Sequence, residues 1–123
     1  MAGMMRIRNG SSLENVFKLK IIPNTGFISP ASGITISSSS GIALSTFMSC
    51  NICFQKSTDS PANSVFEIGK IKLGYRPTSP GFIGGANIVA TVETGGAIHV
   101  RMLSSAGAGS NIWLRGIYMF NCD

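Results

Sequence analysis

Charge is scarce in this chain. Only 12% of its 123 residues are Asp, Glu, Lys or Arg, against about 25% in typical soluble domains. The acidic residues Glu14, Asp59, Glu67, Glu93 and Asp123 stand apart from one another. They form no Asp-x-Asp pattern for calcium and no carboxylate pair for glycoside hydrolysis. His99 is the single histidine, and the three cysteines are Cys50, Cys53 and Cys122. An odd number of cysteines argues against a closed disulfide framework. No apolar run approaches the roughly 18–20 residues that a bilayer crossing needs, so membrane insertion is not expected. The Gly-rich stretches at 84–85 and 106–109 are followed by no Lys-Ser/Thr pair and no helix, which excludes a phosphate loop.

What the chain does have is apolar content, 44% of residues, with a net charge of +5. The cations Arg6, Arg8, Lys18, Lys20, Lys56, Lys70, Lys72, Arg76, Arg101 and Arg115 form no run. Several alternate with apolar residues, as solvated strand faces do, and no nucleic-acid partner is expected. Large exposed apolar patches are uncommon on monomers, so a weakly charged, apolar chain is expected to hide surface at a subunit interface. The length suits a single domain. The opening residues MAGMMRIRNGSS hold no apolar core of the length a secretory signal requires. Synthesis in a reducing cytoplasm is therefore expected.

Apolar residues at i, i+3, i+4 and i+7 are absent, while period-two alternation recurs between Gly- and Ser-rich breaks. The expectation is an all-β fold: a single antiparallel β-sandwich, jelly-roll-like, over residues 16–123, preceded by an arm at 1–15. Residues 16–22 read as the first strand and 23–33 as a loop. Residues 34–36 read as a short strand and 37–41 as a turn. Residues 42–54 make the longest strand, with Ile42, Leu44, Met48, Cys50, Ile52 and Phe54 on one face. Residues 65–73 return as a strand whose apolar parity shifts at Gly69, the signature of a β-bulge. Residues 77–85 read as a loop. Residues 86–93 and 97–103 form a hairpin, with Thr94, Gly95 and Gly96 supplying positive φ. Residues 111–120 close the fold.

Candidate chemistry is sparse. Cys50-x-x-Cys53 has zinc-like spacing, but residues three apart on a strand point to opposite faces, and a structural zinc needs four ligands. Two buried thiols acting as small hydrophobes are the expectation, with no metal and no cofactor. His99 lies on the polar parity of the hairpin with Arg101. It could act as a base or contact a ligand, and it also fits a plain surface histidine. No serine sits in a nucleophile elbow, and the only acids for a triad would be Asp59 or Asp123. An enzyme is not expected. The aromatic residues Tyr75, Phe82 and Trp113 could offer a ring face to a sugar. Tyr75 and Trp113 equally suit packing at a sheet end or a subunit contact.

Residues 68–77 (IGKIKLGYRP), the hairpin after them and residues 111–120 (NIWLRGIYMF) occur in a recognisable order. This stretch resembles the C-terminal head modules of phage tail fibres and receptor-binding or baseplate-appendage proteins. Lys72 and Leu73 stand where those modules usually carry a proline. Ser110, Asn111 and Ile112 replace their Gly-Gly before the tryptophan. The resemblance implies a β-sandwich, commonly a homotrimer, displayed on a virion's tail or capsid surface. It implies recognition of a host-surface ligand, often carbohydrate, and brings no catalytic residues. On this reading Trp113, Tyr75, His99 and Arg101 are the ligand-contact candidates, and the arm holds other virion proteins. Within Gly-Tyr-Arg-Pro, Pro77 is expected to stiffen the strand exit and Arg76 to meet a carboxylate or a carbonyl. The alternative expectation is a capsid-decorating or fibre-assembly protein that binds no ligand.

Overall fold

The computed structural model describes residues 20–22 and 24–120. The expected arm, most of the first expected strand, the Arg6/Arg8 pair, Lys18 and Cys122 lie outside the described residues. The described residues form nine strands: β1 (Lys20–Ile22), β2 (Ile28–Pro30), β3 (Ile34–Leu44), β4 (Phe47–Lys56), β5 (Val65–Ile71), β6 (Gly81–Gly84), β7 (Ile88–Val92), β8 (Ala97–Met102) and β9 (Ile112–Met119). One helical turn, α1 (Asn24–Phe27), joins the first two. The strands form a single antiparallel sheet in the order β1-β3-β4-β9-β6-β7-β8-β5-β2, curled into a half-barrel. The fold is all-β, as the alternation predicts.

The curl encloses one core. Phe27, Met48, Ile52, Phe54, Ile68, Ile71, Ile88, Ile98, Met102 and Leu114 are fully buried on its concave side. Phe54 and Phe66 meet edge-on with ring centroids 6.2 Å apart, and Tyr118 and Phe120 do the same at 6.4 Å. Such pairs add about 0.5–1.5 kcal/mol beyond the area they bury.

The expected strand over residues 42–54 is two strands. Leu44 pairs with Phe47, and Ser45 and Thr46 between them make a two-residue hairpin turn, with Ser45 at φ +57°. A two-residue turn places its flanking residues side by side on one face, which inverts the parity of the chain. Ile42 and Leu44 therefore point outward, while Met48, Cys50, Ile52 and Phe54 point inward. The expected turn over residues 37–41 is strand, because Ser38 to Ser40 pair with Cys53, Ile52 and Asn51. The register slips between Ile36 and Ser38, so Ser37 is the extra residue of a bulge. The expected loop over 23–33 contains α1 and β2, and the one over 77–85 contains β6. Propensity favoured a loop in both, since Gly and Pro weaken strands. Pairing with β5, and with β7 and β9, overrides it.

The bulge at Gly69 is present: the β5–β8 register shifts between Glu67 and Gly69. A Cβ at Gly69 would lie 2.4 Å from the Ser29 carbonyl oxygen of β2. Glycine there lets the edge strand dock. The β7–β8 hairpin closes through Glu93 N–H to Ala97 O at 2.9 Å and Gly96 N–H to Glu93 O at 2.8 Å. Of its three expected positive-φ residues, only Gly96 has one, at +94°.

Candidate functional site

The Gly-Tyr-Arg-Pro motif is a structural clasp. Arg76 Nε donates to the Ile71 carbonyl at 2.8 Å, so its partner is a carbonyl. Ile71 N–H in turn donates to Gly96 O at 2.8 Å, tying the end of β5 to the β7–β8 turn. The Tyr118 hydroxyl donates to the Tyr75 carbonyl, and Pro77 bridges Phe120. The half-buried Tyr75 ring packs against Phe27, with centroids 6.4 Å apart. Burial, and secondarily the neighbouring Cys50, push the Tyr118 phenol above the usual tyrosine range. Tyr75 thus packs its partly buried ring against the core.

The convex face of β5, β6, β7 and β8 carries a groove. Thr91 sits opposite His99, and His99 opposite Glu67. Val89 sits opposite Arg101, and Arg101 opposite Val65. Phe82 is directly across from Thr91 and is 78% exposed. Cross-strand neighbours on one face lie about 4.5–5.5 Å apart at Cβ, so these side chains are contiguous. All of them but Glu67 line a shallow cavity of about 320 Å³. Its floor is apolar, one wall is the Phe82 ring, and the polar groups are Thr91, His99 and Arg101. Arg101 Nη2 donates to Asn63 Oδ1 at 3.2 Å, which steadies the guanidinium at one end.

His99 and Arg101 are thus brought together, as the hairpin parity predicts. Trp113 is on the outer face, 47% exposed, but lies three strands from Arg101 in the sheet order. That separation is on the order of 14 Å at the usual strand spacing, so the two do not share a small ligand. Trp113 instead stands opposite Cys53, which is buried on the same outer face. Cys50 is buried on the concave side, and both thiols are free. Burial pushes the Cys50 thiol up to about 12. Phe82, Val65, Val89 and Thr91 were not singled out by residue type as a group. Their signal is positional, because each shares the outward parity of His99 or Arg101 across a strand pair.

Among the described residues no group of three or more His, Cys, Asp or Glu side chains converges to hold a metal. The Asp59 carboxylate accepts the Ala108 N–H at 2.9 Å, which commits it to bracing the loop before β9. No described helix is long and apolar enough to cross a membrane. No protein-family model, curated protein or solved structure matches the chain.

Proposed function

We propose that this chain is a non-catalytic contact module of a virion surface, a fibre-tip or receptor-binding head that holds a host-surface carbohydrate in the Phe82–Arg101 groove. The observation that carries the reading is the composition of that groove. A freely exposed aromatic face stands beside Thr91, His99 and a steadied Arg101, on rigid strands. A sugar ring presents an apolar face for stacking and hydroxyls for polar groups, and this arrangement complements both. The groove is shallow, which suits recognition of one or two exposed sugar units. The virion setting rests on the resemblance of residues 67–120 to fibre head modules. It is supported by the clasp role of Gly-Tyr-Arg-Pro, a scaffold function independent of any ligand. The same resemblance supports a jelly-roll-like sandwich as the description of the curled sheet, a homotrimer as the working unit, and attachment to other virion proteins through residues 1–15.

Glycan-array and host-cell binding with the purified protein test the reading. Binding is expected, and Phe82→Ala or Arg101→Ala should each weaken it about tenfold or more, a loss of ~1.4 kcal/mol or greater. Absence of all binding would overturn it in favour of a ligand-free structural role on the particle. Release of sugar product during the assay would overturn it in favour of a hydrolase.

A further inference from the structure

The other half of the convex face is different in kind. Ile21 of β1 pairs with Ile42 of β3. Leu44 of β3 pairs with Phe47 of β4, and Phe47 with Met119 of β9. Ser49 lies between Ile42 and Ile117 in the adjoining row. These six apolar side chains are between 42% and 71% exposed. Together they present on the order of 600 Å² of largely apolar surface, at the upper end of the roughly 300–600 Å² of the largest patch on a typical monomer. That is most of the ~800 Å² that one partner contributes to a standard interface.

Sequence and charge point the same way. In β9 the inward residues Ile112, Leu114 and Tyr118 are apolar or aromatic, and so are three of the four outward residues, Trp113, Ile117 and Met119, with Arg115 the exception. A strand largely apolar on both parities is the pattern of a sheet covered on both faces, yet among the described residues only the concave side is covered. The two rows of the patch carry no charge. Arg115, one row further on, is the nearest cation on the outward parity of β9. Copies of a chain with net charge +5 can therefore meet across these two rows without opposing like charges, with Arg115 at their edge. A surface built for anionic lipid would instead be rimmed by several lysines and arginines. The face also has relief. A depression of about 340 Å³ is lined by Ser49, Ile42, Ile117, Asn51 and Arg115, and Phe47 projects in the next row.

We infer that the outer face of β1, β3, β4 and β9 is a self-association surface whose occupant is a second copy of this chain. Phe47 as a knob and the depression as a recess allow each copy to insert into the next, the head-to-tail kind of contact from which closed rings such as a homotrimer are built. The inference names the face used in the oligomeric part of the proposed function and is independent of the groove.

Sedimentation velocity on the full chain, across a wide concentration range, tests it. The wild type is expected to sediment at a multiple of 12.9 kDa. Ile117→Asp is expected to sediment as a single chain with an unchanged circular dichroism spectrum. Should the aspartate prevent folding, Ile42→Ser gives a milder test and is expected to weaken association by tenfold or more. Arg101→Ala should leave the mass unaltered, so a failed glycan assay and a failed association assay are read separately. A wild type that stays monomeric at every concentration would overturn the inference. So would an oligomer that folded Ile117→Asp and Ile42→Ser leave intact, or a monomer that floats with lipid vesicles through this face.

Discussion

Arg76 Nε donates to the Ile71 carbonyl at 2.8 Å directly over Gly96, where an added Cβ would lie 2.6 Å from that oxygen and 2.7 Å from the nitrogen. The glycine and the arginine act as one device, since the missing Cβ leaves the space in which the arginine's hydrogen bond forms. Arg76→Ala is expected to lower stability by about 1.5–3 kcal/mol, the usual worth of a hydrogen bond from a charged donor. Gly96→Ala should cost about 1–3 kcal/mol through the positive φ and the blocked approach. Urea denaturation of each variant checks both values. The double variant should cost less than the sum, because either change alone already breaks the clasp.

Gly69 makes a second close approach, to the Ser29 carbonyl of β2. Gly69→Val is expected to displace β2 and cost about 1–3 kcal/mol, as overpacking does. Hydrogen exchange should show the loss locally. Ala31 N–H, which donates to Ile68 O at 2.9 Å, should lose protection while the β3–β4 hairpin keeps its own.

Stability should fall in alkali. Burial holds the Cys50 thiol protonated up to about 12 from an ordinary 9.0, and it holds the Tyr118 phenol above its usual range. Both are acids whose folded pKa is raised, so in strong base the unfolded chain binds fewer protons than the folded one. Stability is then flat below about pH 9 and declines above it, by up to ~1.4 kcal/mol per pH unit for each group in its window. Thermal melts between pH 7 and 11 check the slope. Cys50→Ala should remove the part of the decline that begins near pH 9, leaving the part due to Tyr118.

Trp113 and Cys53 are cross-strand partners on the outer face, the thiol buried and the ring half-exposed. Trp113→Ala is expected to raise the labelling rate of Cys53 by a neutral alkylating reagent at least several-fold. The measure is mass spectrometry of the Cys53 peptide. Carbohydrate binding at the groove should be unchanged in the same variant, which separates this residue from His99 and Arg101.

Much of this architecture is legible in the sequence because a strand's side-chain period is local. Alternation places Ile88, Ala90 and Val92 against Ile98, Val100 and Met102, and the parity shift at Gly69 marks a bulge without reference to any neighbour. His99 and Arg101 share a face for the same local reason. The β3–β4 turn is not legible in this way. Ser45 and Thr46 carry no glycine, and the apolar parity of residues 42–54 runs on unbroken through the turn while the side chains change sides.

The sequence by itself determined the all-β class and the β7–β8 hairpin, since each follows from residues near one another in the chain. Tertiary structure alone decided which apolar residues are core and which are surface. That depends on pairing between distant strands: Phe47 beside Met119 and Ile42 beside Ile21 make a patch, and Phe82 beside Thr91 and His99 makes a groove. It also decided that Tyr75 belongs to the clasp and Trp113 to a different stretch of surface. Side-chain type cannot reveal such roles, because the curl of the sheet sets the neighbours of each ring.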